Sequence, residues 1–174
     1  GSSLFSFIEA SSSDLYVLPR FRTAFLDPFA ELPTLTMLCS FFNKDGQPLE
    51  SAPEYTLKKA CSVFREKTGG MEFEAMGELE YYVIANEDTL FHATDQRGYH
   101  ESTPFCKFAD FRTHAMKLIA ECGGLIKYGH SEVGNFTVGD TMYEQNEIEF
   151  LPTHLEQAAD QLVIAKWILR TLAY

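Results

Sequence analysis

The sequence has few basic residues for its length. Its 174 residues include 14 lysines and arginines against 25 aspartates and glutamates, which gives a formal net charge of −11. A nucleic-acid-binding surface needs clustered basic side chains, so this balance argues against such a role. The acidic excess permits the binding of divalent cations but does not demonstrate it.

Long apolar runs, a secretory signal and closely paired cysteines are also missing. No uninterrupted apolar stretch reaches the length of a membrane span. No basic segment followed by an apolar one indicates a signal peptide. The four cysteines show no C-x-x-C spacing and lie mostly among apolar residues. We therefore expect reduced, buried thiols in a cytoplasmic protein without a membrane segment. The cysteines are Cys39, Cys61, Cys106 and Cys122.

The composition is that of a folded domain, with 45% hydrophobic, 14% aromatic and 22% charged residues. Predicted strands alternate with three predicted helices. This order predicts an α+β fold, with an antiparallel or mixed curved sheet and helices packed on one face. The last predicted helix is strongly apolar on one side and is followed only by Tyr174. We therefore expect residues 1–174 to form a single, partial domain of a larger protein.

Turn and capping residues set the boundaries of the predicted elements. Ser51-Ala52-Pro53-Glu54 and Thr153-x-x-Glu156 have the spacing of capping boxes, which start helices. Leu90 to Ala93 is predicted to pair, as a hairpin, with a strand over Glu72 to Ile84. The other predicted strands cover residues 14–18, 34–42, 125–133 and 143–151, and the middle helix covers about 108–121.

Glutamates recur on three of the predicted strands. Side chains alternate along a strand, so Glu78 and Glu80 point to one face. Glu132 lies on the next such strand, and Glu147 and Glu149 share a face of the third. Buried carboxylates need partners, and hard divalent cations prefer oxygen ligands. On this pattern alone a solvated acidic strand face is the commoner explanation, and Glu149 could simply point outward.

These same segments resemble the glutamine synthetase family. Gly77-Glu78-Leu79-Glu80-Tyr81-Tyr82 is similar to that family's Gly-x-Glu-x-Glu-Phe-Phe strand. His130-Ser131-Glu132-Val133 is similar to its His-His-Glu-Val strand. Gln145-Asn146-Glu147-Ile148-Glu149-Phe150 is similar to its Gly-Gln-x-Glu-Ile-x-Phe strand. The flanking sequence agrees in order and spacing, so the resemblance covers nearly the whole chain.

The resemblance implies an ATP-dependent ligase that joins glutamate and ammonia through γ-glutamyl phosphate, with two Mg²⁺ or Mn²⁺ ions. By motif position, Glu80, Glu132 and Glu147 would hold one ion, and Glu78 would help to hold the other. His130 would approach the nucleotide, although a strand histidine hydrogen-bonded to the backbone fits the position equally well. The resemblance also implies a homo-oligomer in the full-length protein. It identifies no catalytic residue beyond these groups.

Within and between these three motifs, three features depart from the family's pattern. Ser131 replaces the second histidine, Glu144 replaces a glycine, and residues 134–142 lengthen the gap between the last two motifs as an inserted turn or hairpin. Two alternatives stay open: a γ-glutamyl ligase that uses a larger amine, and a non-catalytic homologue that serves in binding or assembly. The family's N-terminal β-domain and the basic second half of its catalytic domain have no counterpart here. We therefore expect these 174 residues to be inactive alone.

Overall fold

A computed structural model describes residues 14–87 and 90–174 of the chain. The chain divides into two compact units. The first contains the described residues through Ala75 together with His154–Asp160, and the second contains Met76–Thr153 and Gln161–Tyr174. That the chain forms a single domain stays a prediction. No helix within the described part of the chain is long and apolar enough to cross a membrane.

The first unit contains two small antiparallel pairs of strands. Its first four strands are β1 (Tyr16–Pro19), β2 (Phe25–Leu26), β3 (Leu35–Thr36) and β4 (Cys39–Phe42). Strand β1 pairs with β4, and β2 pairs with β3. The predicted strand over 34–42 is thus two strands. It is interrupted at Leu38, whose N–H donates to Thr23 Oγ1 at 2.9 Å instead of to a neighbouring strand.

Helix α1 (Pro53–Lys67) begins at the predicted proline but without the predicted capping box. Ala52 occupies the N-cap position, and no side chain caps the helix there. The carboxylate of Glu54 accepts the N–H of Phe41 at 3.0 Å, so it is not available to Ser51. The apolar side chains spaced along this helix are only half-buried, and they are Tyr55, Leu57, Cys61 and Phe64.

The remaining elements follow in chain order. They are β5 (Glu74–Ala75), β6 (Glu78–Asn86), α2 (Ala109–Glu121), β7 (Ile126–Val138), β8 (Thr141–Phe150), β9 (Thr153–His154) and α3 (Leu155–Ala173). Strands β6, β8 and β7 form one antiparallel sheet with β8 in the centre. Helix α2 packs on one face of this sheet, where Tyr81 contacts Phe111. The α+β prediction with an antiparallel sheet is therefore confirmed.

The partner of β6 is β8, so the predicted hairpin with Leu90 to Ala93 is wrong. Strand β8 follows β7 directly through a two-residue turn at Gly139, which has a φ of +61°. This hairpin brings nine residues of β8 into register with β6, from Asn86 to Glu78. Residues 134–142, which were predicted to be an inserted turn or hairpin, form the end of a hairpin. Asp88, which lies between the two segments of that predicted hairpin, is outside the described residues.

Glu144 points to the helix-bearing face of the sheet and is 1% exposed. Its carboxylate accepts the N–H groups of Lys107 at 2.6 Å and Phe108 at 3.1 Å, at the start of α2. It also accepts Asn146 Nδ2 at 3.1 Å. A helix N-terminus needs such acceptors for its free N–H groups. Glu144 thus anchors α2 to β8 and lies away from the glutamates of interest.

Candidate metal centre

The register of the sheet brings the predicted residues into two rows. Glu147, on the central strand β8, lies opposite Glu80 of β6 and His130 of β7. In the next row, Glu149 lies between Glu78 and Tyr128. Residues directly opposite each other in an antiparallel sheet point to the same face. These side chains therefore share the face that is turned away from α2.

An irregularity in β7 adds Glu132 to this face. Ser131 lies opposite Asn146, and Asn135 lies opposite Glu144, so β7 has two extra residues between these pairs. Such bulges redirect side chains. Glu132 Oε1 lies 3.6 Å from His130 Nδ1, and Glu132 also interacts with the Glu147 carboxylate.

Glu147 is a buried carboxylate with few partners. It is 5% exposed, and its nearest basic group is His130 Nε2, at 3.6 Å from Oε2. Among the described residues, no N–H group donates a hydrogen bond to it. Burial, together with the Glu132 and Glu78 carboxylates, outweighs the attraction of His130 and raises the pKa of Glu147 to about 7. A cation beside it would relieve this cost of burial.

Glu149 is equally buried, at 6% exposed, but it has a cationic partner. Lys127 Nζ donates to Glu149 Oε2 at 2.7 Å and lies 4.8 Å from the centre of the Tyr128 ring. Hydrogen bonds from Lys127, and then from Tyr128, lower the pKa of Glu149. A register shift between Ile126 and Tyr128 allows the lysine to reach this position. Sequence reasoning missed this pair, because nothing local to Lys127 signals the shift.

Glu80 is held by a chain of hydrogen bonds along the same face. Gln145 Nε2 donates to Glu80 Oε2 at 2.6 Å, and Gln145 Oε1 accepts the N–H of Gly134 at 3.0 Å. A side chain at Gly134 would collide with the Tyr82 hydroxyl and with Gln145 Oε1. The glycine in the bulge therefore leaves the room that Glu80 and Gln145 need.

Among the described residues, one group of side chains is close enough to share a single ion. Ligand atoms of His130, Glu147 and Glu149 all lie within 4.8 Å of one another, and all three residues are buried. This set overlaps the predicted metal ligands only at Glu147. Of the others, Glu132 and Glu78 interact electrostatically with Glu147, whereas Glu80 reaches it only through strand pairing. The assignment of individual metal ligands stays a prediction.

Comparison with known proteins identifies the family of the chain. The sequence model of the glutamine synthetase catalytic domain matches residues 50–174. The chain belongs to the glutamine synthetase family. Glutamine synthetases of Methanococcus voltae and Thermotoga maritima are similar to it, at 27% identity over 175 residues and 26% over 183. Each alignment covers 99% of this chain but only 37% or 38% of the relative, so the chain spans less than two fifths of their length.

Solved structures extend the similarity to the fold. A glutamine synthetase of Plasmodium falciparum, determined by cryo-electron microscopy, superposes with a TM-score of 0.79 at 17% identity. That alignment covers 99% of this chain and 38% of the other. A protein titled GmaS, in complex with ADP, superposes with a TM-score of 0.73 at 14% identity over 96% of this chain and 37% of its own. The fold is thus that of part of a glutamine synthetase catalytic domain.

Proposed function

We propose that this chain contributes the cation-binding part of the active site of an ATP-dependent ligase that joins glutamate and ammonia. Membership of the glutamine synthetase family supports the reaction class. The gathering of Glu78, Glu132 and Glu147 on one sheet face supports the cation-binding role. The small amount of basic charge in the chain, 14 basic residues against 25 acidic ones, supports the expectation that residues 1–174 alone are inactive.

The proposed reaction has two group transfers. First, an oxygen of the glutamate γ-carboxylate forms a bond to the γ-phosphorus of ATP, the bond to the bridging oxygen breaks, and ADP leaves. The nitrogen of ammonia then attacks the acyl carbon, the carbon–oxygen bond to phosphate breaks, and the nitrogen loses a proton. Two Mg²⁺ or Mn²⁺ ions would neutralise the phosphate charges during the first transfer.

The residues of this chain have distinct proposed roles. Glu80, Glu132 and Glu147 are proposed to hold one ion, and Glu78 to help hold the other. Glu147 carries the proposal, because it is a carboxylate only 5% exposed whose pKa is raised to about 7. Leaving such a group without a compensating charge is costly, and a cation removes that cost. Mg²⁺ binds through few carboxylates and keeps several waters, which suits glutamates on separate strands.

Calorimetric titration with Mn²⁺ tests this role in the chain as it stands. We expect Glu78→Gln and Glu147→Gln to weaken Mn²⁺ binding by about tenfold or more, because each removes an anionic ligand. Glu121→Gln is the matched control, since this exposed glutamate lies on α2 with its carboxylate 3.8 Å from Lys117 Nζ. Circular dichroism checks that each variant is folded. Mn²⁺ affinity unchanged in both site variants would contradict the proposal.

A further inference from the structure

The loop before α2 is attached to the irregular part of β7. The N–H groups of Gln96, Gly98 and His100 donate to the carbonyls of Asn135, Val133 and Ser131, at 2.7, 3.3 and 3.0 Å respectively. In addition, Ser131 Oγ donates to the carbonyl of Glu101 at 3.0 Å. These bonds fix residues 96–101 beside the strand that bears His130 and Glu132.

This attachment places the ring of His100 over the ring of His130. The two imidazoles are nearly parallel, with centroids 4.3 Å apart and an angle of 14° between their planes. Tyr128 stacks against His130 as well, at 5.6 Å and 29°. His100 has a φ of +54°, a conformation that few non-glycine residues adopt. Gly98 has no side chain to collide with the carbonyl of Glu132, which allows the close approach.

The hydrogen bonding of His130 then determines what its other nitrogen can do. Nδ1 lies 3.0 Å from the carbonyl of Ser131, and a carbonyl can only accept, so Nδ1 carries the proton. Whenever the ring carries a single proton, Nε2 is therefore left with a lone pair. It faces the carboxylates, 3.6 Å from Glu147 Oε2, and forms no hydrogen bond within residues 14–87 and 90–174. His130 is 7% exposed, so this lone pair is directed into the site and away from solvent.

We propose that His100 is a positioning residue, which holds His130 so that Nε2 adds a nitrogen ligand to the ion proposed above at Glu147, with Glu149 within reach of the same ion. The inference rests on the proposed cation-binding role. A neutral imidazole with its only proton committed to Ser131 can accept but not donate at Nε2, so it suits a cation better than a phosphate oxygen. An imidazole ligand favours Mn²⁺ and other transition metals over Mg²⁺. Partners that orient a ligating histidine affect metal affinity strongly.

The first test uses the metal-free protein. Long-range ¹H–¹⁵N NMR at mildly alkaline pH reports which nitrogen of each histidine is protonated, and the signals of His130 are assigned with His130→Gln. We expect one His130 form, protonated at Nδ1, in the wild type and in His100→Phe, which keeps a ring to stack. We expect a mixture of both tautomers in His100→Ala. His114→Ala, an exposed histidine on α2, is the matched control.

The second test adds Mn²⁺ to the same variants. We expect His100→Ala to weaken binding by roughly tenfold, and His100→Phe to stay within about twofold of the wild type. Pulsed EPR should detect nitrogen bonded to Mn²⁺ in the wild type but not in His130→Gln. If His100→Ala keeps both the single tautomer and the wild-type affinity, the inference is wrong while the proposed function stands. If the wild type binds no Mn²⁺, the proposed function fails, and the metal-free spectra still decide whether His100 positions His130.

Discussion

Replacing Glu147 with glutamine is expected to stabilise the metal-free protein near neutral pH. Burial and the nearby carboxylates raise the pKa of Glu147 from 4.5 to about 7. A carboxyl group whose pKa rises on folding binds its proton more tightly in the folded state. Its stabilising contribution is complete below pH 4.5 and is lost as the pH rises through about 7. Above that pH the ionised carboxylate opposes folding, and glutamine, which stays neutral, does not.

The size of the effect follows from the pKa change. A rise from 4.5 to about 7 corresponds to ~3 kcal/mol of unfolding free energy. The sheet face that bears Glu147 also bears the exposed Glu78 and Glu80, so solvent screens part of the repulsion. We therefore expect Glu147→Gln to raise the free energy of unfolding by ~1–2 kcal/mol at about pH 8, and to change it little at about pH 4.

Urea unfolding in the presence of a chelator, followed by circular dichroism at both pH values, measures this difference. Glu149→Gln is the matched control, since it is the same change two residues along the strand at an equally buried position. Lys127 lowers the pKa of Glu149, so its stabilising contribution is present at neutral pH and is lost as the pH falls through its folded-state pKa. Glu149→Gln should therefore destabilise the protein at about pH 8. If both substitutions shift stability in the same direction, the explanation from local charge is refuted.

Two further substitutions test how the site is supported. Gly134→Ala should displace Gln145 and Tyr82, because a side chain at this position collides with both. Since Gln145 holds Glu80, the substitution should also weaken Mn²⁺ binding. Thr137→Ala, at an exposed position of β7, is the control and should leave Mn²⁺ binding unchanged. Glu144→Ala removes the acceptor for two N–H groups at the start of α2. Measured by urea unfolding, it should lower the free energy of unfolding by ~3 kcal/mol or more. A loss below ~1 kcal/mol would contradict the role of Glu144 in anchoring α2.

The sequence was most informative where local alternation decides the outcome. The spacing of Glu78 and Glu80 requires that both point to one face of a strand, and the same holds for Glu147 and Glu149. The structure agrees, because each pair faces the other across β6 and β8. The α+β fold, helix α2 and the hairpin after Gly134 were also predictable, since turn glycines and apolar periodicity encode them locally.

Features that depend on long-range pairing were not predictable in the same way. Nothing in the segment from Leu90 to Ala93 indicates that β6 pairs with β8 instead. The registers on either side of His130 are equally hidden, yet they place Lys127 beside Glu149 and direct Glu132 toward Glu147. At these two irregularities, strand β7 has one or two residues more than the facing part of β8. This difference in length brings the side chains of the two strands together.

Strand β8 shows how one short segment serves both stability and the proposed function. Glu144 and Asn146 are buried on the face toward α2, and each has hydrogen-bonding partners: the N–H groups at the start of α2 for Glu144, and the Arg112 guanidinium for Asn146. On the opposite face Glu147 is also buried, but its partners among the described residues are His130, at 3.6 Å, and the carboxylates of Glu132 and Glu78. Folding alone explains the polar residues of the first face, because their charges and dipoles are compensated within the chain. The charge of Glu147 is only partly compensated by His130, and this asymmetry between two faces of one strand is the strongest reason to expect a cation there.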